Sequence, residues 1–138
     1  NSYKKIAIIR NPFDYMVSSF FWEMQTKKKK TDLRFQEYVL NKKDKILANE
    51  KIYKIDNVNI IDYMIRYDHL ENDILNLENE YQTLSGLSKT FQNISAKGKY
   101  RPRKATAKEM FAQAPDALDY IYKICKEDIK KYNFKIPA

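Results

Sequence analysis

Residues 6–21, IAIIRNPFDYMVSSFF, decide the fold, because they join a short apolar run to the start of a helix. The run Ile6–Ile9 is rich in β-branched residues, so it predicts a strand buried on both faces of a parallel sheet, with Arg10 at its carboxyl end. Asn11 is a good N-cap, and proline at the next position costs nothing because the first turn has no partner for its missing N–H. We therefore predict a helix over Pro12–Met24.

One face of this predicted helix carries Asp14, Ser18 and Trp22 at four-residue intervals, beside an apolar stripe that faces the core. Ligands of open parallel sheets bind at the carboxyl ends of strands, where Arg10 lies. The donor fork of an arginine matches phosphate or carboxylate, and the Ser18 hydroxyl can bind the same anion. The pattern indicates an anion site at Arg10 and Ser18, while the alternative is that Arg10 pairs with Asp14 and Ser18 only packs.

The segment Arg10–Asp14, followed by Ser18, resembles the 3′-phosphate-binding segment of sulfotransferases that use 3′-phosphoadenosine 5′-phosphosulfate. Its Asn-Pro pair is more similar to the carbohydrate and membrane-type branch than to the cytosolic small-molecule branch. The resemblance implies that Arg10 and Ser18 contact the 3′-phosphate of the cofactor. Tyr15 departs from the pattern, because that branch usually carries a second arginine there.

Two further segments resemble the same family. Residues 93–103, NISAKGKYRPR, resemble the Lys-Gly-basic loop that folds over the nucleotide, which implies that Lys97, Gly98, Lys99 and Arg101 bind the cofactor. A basic loop with no ligand is the alternative for this segment.

Residues 60–75 resemble the family's strand followed by a helix, with Asp68 as N-cap and Gly86 closing the helix. The apolar residues predicted for the strand and for the buried face of the helix are Ile60, Ile61, Met64, Ile65, Leu70, Ile74, Leu77 and Tyr81. Residues 106–134 resemble the C-terminal helices of the family, whereas the polar stretch Lys42–Lys54 predicts a surface connection.

The resemblance implies an α/β fold: a partial P-loop-kinase-like sulfotransferase fold with a short parallel sheet and a mostly helical remainder. The implied reaction moves a sulfuryl group from 3′-phosphoadenosine 5′-phosphosulfate to a hydroxyl acceptor, of which a carbohydrate is favoured. The chain has two glycines, Gly86 and Gly98, and neither stands between a strand and a helix as a 5′-phosphosulfate-binding loop requires. We therefore expect a C-terminal portion that is inactive alone, with its catalytic residues unassigned.

Composition favours one domain over residues 1–138, with 43% hydrophobic residues and no apolar run long enough to span a membrane. The net charge of +8 suits a polyanion, although most basic residues are lysines and the many Asn, Ile and Tyr also fit an AT-rich coding bias. Two alternatives stay open: a basic nucleic-acid-binding module that uses residues 97–104, and a non-catalytic interaction domain with a sulfotransferase-like fold. We do not expect nucleic acid as the partner.

The lone Cys125 excludes an internal disulfide and is predicted to be a small core residue. It favours a reducing compartment, so we predict a cytoplasmic location, and an upstream anchor or signal stays open. The chain also lacks paired histidines or carboxylates at ligand spacing, so no metal is predicted. His69 is the one histidine, and its place at the start of a predicted helix favours a structural role over catalysis.

Overall fold

The computed structural model describes residues 3–26, 34–43, 46, 49–94 and 100–137. In these ranges the fold is mixed α/β and mostly helical. The chain divides into two units. The sheet unit comprises Asn1–Arg10 and Asn49–Ala96, and the helical unit comprises Asn11–Ala48 and Lys97–Ala138. The single domain over residues 1–138 stays a prediction.

The parallel pair of strands β1 (Ile6–Ile9) and β4 (Tyr63–Arg66) organises the sheet unit. Ile6 lies opposite Tyr63, and the register continues to the last residue of each strand. The predicted parallel strand is thus confirmed, and Arg10 follows directly after its carboxyl end.

Strand β1 is not buried on both faces, so this part of the prediction is wrong. Ala7 and Ile9 are buried, but Ile6 and Ile8 are 41% and 46% exposed. The helix that follows β4 packs against β4 and buries Ile65 there. Ile8 lies next to Ile65 in the register of the two strands, but it stays half exposed. The alternating burial along β1 is typical of a strand that is covered on one face.

The other elements of the sheet unit are short. A tight hairpin joins two of its strands, and its turn residues Asp56 and Asn57 both have positive φ, which Asp and Asn tolerate better than most residues. Two 3₁₀ turns, Tyr67–His69 and Gln82–Leu84, connect helices to their neighbours. The elements are α3 (Glu50–Tyr53), β2 (Lys54–Ile55), β3 (Val58–Asn59), α4 (Leu70–Glu80) and α5 (Leu87–Gln92).

Helix α4 supplies the apolar core of the sheet unit. Ile74 and Leu77 are buried together with Ile65, and Leu70 and Tyr81 pack against them, which confirms the predicted buried face. Leu70, Ile74, Leu77 and Tyr81 recur three or four positions apart, which is the spacing of residues on one side of a helix.

The boundaries of this segment differ from the prediction in two places. Ile60 and Ile61 precede β4 instead of belonging to it. The N-cap position of α4 is His69, and Asp68 instead accepts two hydrogen bonds from the Arg66 guanidinium, at 3.0 and 2.8 Å. These bonds hold the pKa of Asp68 below its ordinary value.

Gly86 does not close α4, which ends at Glu80. With a φ of 88°, Gly86 is the N-cap residue of α5. The Glu78 carboxylate accepts hydrogen bonds from the backbone N–H groups of Ser88 and Gly86, at 2.9 and 2.8 Å. These contacts with Ser88 and Gly86 hold the pKa of Glu78 below its ordinary value.

The helical unit begins with α1 (Pro12–Thr26), which confirms the predicted helix and extends it by two residues. The helices packed around α1 are α2 (Phe35–Leu40), α6 (Ala107–Ala112) and α7 (Pro115–Tyr132). The last two confirm the predicted C-terminal helices, and a capping box between Thr106 and Glu109 starts α6. Within the described ranges, no helix is both long and apolar enough to cross a membrane.

Aromatic side chains form the core of the helical unit. The Phe111 ring lies edge-on to Phe13 and Phe35, with centroids 5.3 and 5.0 Å apart. Cys125 on α7 is buried, as predicted, and burial raises the pKa of its thiol to about 12. The thiol is therefore protonated at neutral pH, which argues against a nucleophilic role.

The stretch Lys42–Lys54 is more than a surface connection. It contains α3 and two fully buried side chains, those of Asn49 and Tyr53. The prediction is wrong there because lysines and acidic residues dominate the composition of this stretch, whereas its two buried residues carry no periodic signal.

Candidate functional site

A buried carboxamide fixes the backbone of Arg10. The N–H group of Arg10 donates to Asn49 Oδ1 at 3.1 Å, and Asn49 Nδ2 donates to the Arg10 carbonyl at 2.9 Å. The Asn49 side chain is fully buried, so these bonds are shielded from competing water. Both polar backbone groups of Arg10 are thereby held where β1 ends.

The side chain of Arg10 stacks on an aromatic ring in the same unit. Its guanidinium carbon lies 3.9 Å from the centroid of the Tyr67 ring, which follows β4 directly. This cation–π contact uses the face of the guanidinium, while its N–H donors lie in the guanidinium plane.

The start of α1 has the predicted cap. Asn11 Oδ1 accepts a hydrogen bond from the N–H group of Phe13 at 3.0 Å. The amide of the same side chain donates to the Lys135 carbonyl at 2.9 Å. Asn11 thus ties the first turn of α1 to the end of the helical unit.

Arg101 binds the polar face of α1. Its Nη1 atom lies 2.6 Å from Asp14 Oδ1 and 3.1 Å from Ser18 Oγ, and its Nε donates to the Ala105 carbonyl at 2.8 Å. Ser18 and Arg101 are 83 positions apart in the chain, yet the helical unit brings them into hydrogen-bond contact. A guanidinium beside a hydroxyl offers several donors to one anion.

The third residue of this face has a partner in the same segment. The Trp22 ring makes an edge-to-face contact with Tyr100, at a centroid distance of 5.1 Å. Asp14, Ser18 and Trp22 are therefore all contacted by residues 100 and 101. The predicted face of α1 is the surface on which this segment rests.

Three of the predicted cofactor-binding residues, Lys97, Gly98 and Lys99, lie outside the described residues. Arg10 belongs to the sheet unit and Ser18 to the helical unit, so a common role for this pair stays a prediction. Among the described side chains, no three His, Cys, Asp or Glu residues are grouped as a metal ion would require.

Two residues of these surroundings were missed by sequence reasoning. Asn49 carries no signal, because a single asparagine in a polar stretch is usually exposed. Tyr67 could have been found from its place, since it comes just after the second predicted strand.

We find no protein-family model that matches this chain, and no curated protein or solved structure that is significantly similar to it. Its function is therefore inferred from its own residues and their contacts.

Proposed function

We propose that this chain binds the 3′-phosphate of 3′-phosphoadenosine 5′-phosphosulfate as part of a sulfotransferase. The observation that carries the proposal is the 3.1 Å contact between Ser18 Oγ and Arg101 Nη1. The resemblance assigns these residues to cofactor binding from two separate motifs. Residues that share one ligand must lie close together, and Ser18 and Arg101 do so although they are 83 positions apart in the chain.

The proposal includes a P-loop-kinase-like sulfotransferase fold. The parallel pairing of β1 with β4 supports it, as does an arginine directly after β1, because this is where open parallel sheets bind their ligands. The resemblance assigns Arg10 to the 3′-phosphate as well. Because Asn49 already holds the backbone of Arg10 in place, less conformational entropy would be lost when Arg10 binds a phosphate.

In the proposed reaction, the sulfuryl group moves from the phosphosulfate to the oxygen of a hydroxyl acceptor, with a carbohydrate as the favoured class. The acceptor oxygen forms a bond to sulfur, the sulfur–oxygen bond to the phosphate breaks, and the hydroxyl proton passes to a base. Adenosine 3′,5′-bisphosphate is the second product. By analogy with phosphoryl transfer, the protein contributes positioning and charge stabilisation.

Calorimetric titration tests the binding step, with adenosine 3′,5′-bisphosphate compared with adenosine 5′-monophosphate. We expect the wild-type chain to prefer the bisphosphate about tenfold or more, since charge-assisted hydrogen bonds contribute about 1.5–3 kcal/mol each. Ser18→Ala should remove most of this preference, whereas Ser19→Ala, one position further along α1, should retain it. Arg10→Ala is the second test variant, and its control is Arg34→Ala, which removes an exposed arginine instead.

Equal affinities for the two nucleotides, in the wild type and in both test variants, would contradict the proposal. Binding to single-stranded nucleic acid that falls steeply with salt and ignores the 3′-phosphate would favour the nucleic-acid-binding alternative. Binding to none of these ligands would favour an interaction domain that uses no cofactor.

A further inference from the structure

We infer that Asp14 is a positioning residue for the anion site, because it orients the Arg101 guanidinium toward the 3′-phosphate. This inference rests on the proposed function and extends it to a residue that the resemblance does not assign to the cofactor. It requires that Asp14 act through Arg101 and not by touching the nucleotide.

The guanidinium of Arg101 is held at three points. Asp14 Oδ1 and Ser18 Oγ accept hydrogen bonds from Nη1, at 2.6 and 3.1 Å, and the Ala105 carbonyl accepts one from Nε at 2.8 Å. Since the guanidinium is planar and rigid, partners on two of its nitrogens fix the orientation of the third. Nη2 carries two further N–H groups that can donate hydrogen bonds to an anion.

The site is open to solvent to a limited degree. The Arg101 and Asp14 side chains are 22% and 33% exposed, so an anion can reach the guanidinium while the ion pair is partly shielded. Ser18 accepts a hydrogen bond from Arg101, so its hydroxyl lies directly beside the guanidinium. The arrangement therefore presents a hydroxyl and an oriented guanidinium together.

Asp14 also has an effect that opposes anion binding, because its negative charge repels a phosphate. An arginine side chain carries about 2 kcal/mol of rotamer entropy, whereas an unpaired carboxylate about 4 Å from a phosphate near a protein surface would repel it by about 4 kcal/mol. The ion pair between Asp14 and Arg101 therefore decides which effect is larger. Orientation is the larger of the two effects here, since the Asp14 carboxylate is already neutralised by Arg101 at 2.6 Å. Removal of the carboxylate should therefore weaken the site.

The test is a double-mutant cycle read out by binding. Calorimetry on the whole 138-residue chain compares adenosine 3′,5′-bisphosphate with the 5′-monophosphate for Asp14→Ala, Arg101→Ala and the double variant. We expect Asp14→Ala to lower the preference for the bisphosphate on the order of tenfold, from the rotamer entropy of one arginine. In the Arg101→Ala background, the same substitution should have no further effect.

The matched control is Asp119→Ala, which removes an exposed carboxylate from α7 and should leave the preference unchanged. Asp14→Asn retains an oxygen acceptor and should keep part of the preference, and it serves in place of the alanine variant if that variant does not fold. A melting curve of each variant shows whether it is folded at the temperature of the titration.

Two results would overturn the inference while leaving the proposed function intact. One is tighter bisphosphate binding by Asp14→Ala, which would make Asp14 a competitor for Arg101. The other is an equal loss in the presence and absence of Arg101, which would reduce Asp14 to a structural role at the start of α1. A wild-type chain with no preference for the bisphosphate would overturn both proposals together.

Discussion

Arg10 in the sheet unit and Arg101 in the helical unit are held in opposite ways. A fully buried carboxamide, that of Asn49, binds the backbone of Arg10, and the ring of Tyr67 supports its side chain. Arg101 is held through its guanidinium by Asp14, in an ion pair that solvent partly reaches. The comparison teaches that the backbone of the first arginine is held by neutral, shielded hydrogen bonds, whereas the guanidinium of the second is held by a charged partner. Salt should therefore act differently on these two sets of contacts.

The largest effect is expected from Asn49→Ala. This substitution leaves the N–H and C=O groups of Arg10 without their partner and opens a cavity, so the free energy of unfolding should fall by about 2–4 kcal/mol. Urea denaturation measures it, with Asn72→Ala on the exposed side of α4 as the control, expected within about 0.5 kcal/mol of wild type. Similar small losses in both variants would show that the carboxamide does not hold this end of β1.

A smaller and salt-dependent effect is expected for the pair of Asp14 and Arg101. A double-mutant cycle on stability should give a coupling free energy of about 0.5–1 kcal/mol at low ionic strength, since the pair is partly exposed. In 1 M NaCl, where the screening length is about 3 Å, the coupling should fall to less than half.

The loss caused by Asn49→Ala, measured in the same two salt concentrations, serves as the reference and should stay constant relative to wild type. A coupling of Asp14 to Arg101 that persists unchanged in high salt would remove the proposed distinction between the two arginines.

The smallest effect concerns Glu78 in the sheet unit, whose carboxylate binds two backbone N–H groups. Hydrogen bonds lower the pKa of Glu78 in the folded state, so this group stabilises the fold above the unfolded pKa, and the contribution disappears as the pH falls through the folded pKa. Glu78→Gln should therefore flatten the loss of stability below about pH 4.5, the ordinary value for this group. Thermal melts between neutral pH and pH 3 measure this, with Glu71→Gln on the same helix as the control.

An acid dependence that is the same in the wild type and in Glu78→Gln would contradict this assignment. Because Glu78 contacts Gly86 and Ser88, the result concerns the start of α5 and leaves the carboxamide at Arg10 unaffected.

Local signals made much of the fold predictable. The strand Ile6–Ile9 and the helix beginning at Pro12 lie next to each other in the chain, and their ends are marked by Asn11 and proline. The buried face of α4 followed from helical spacing alone. Gly86 was misplaced because a glycine after an apolar helical pattern ends one helix or begins the next, and the choice depends on Glu78, which binds its N–H group.

Less of the candidate site could be predicted. Ser18 was singled out by its spacing from Arg10, and Arg101 by resemblance alone, since no local rule connects positions 83 apart. That Asp14 pairs with Arg101 depends on how the segment after residue 99 rests on α1, which is a tertiary contact. Asn49 could not be found at all, because its role depends on complete burial and on its hydrogen bonds to the backbone of Arg10, 39 positions away.

The two hydrogen bonds between Asn49 and Arg10 have a consequence for strand alignment. A carboxamide that accepts from the N–H group and donates to the C=O group of the same residue imitates the residue that lies opposite in a hydrogen-bonded pair of an antiparallel sheet. A slip of β1 by one position would turn Arg10 to the other face of the sheet and present the wrong residue to this amide. One side chain outside the sheet thus selects which residue stands at the end of the strand.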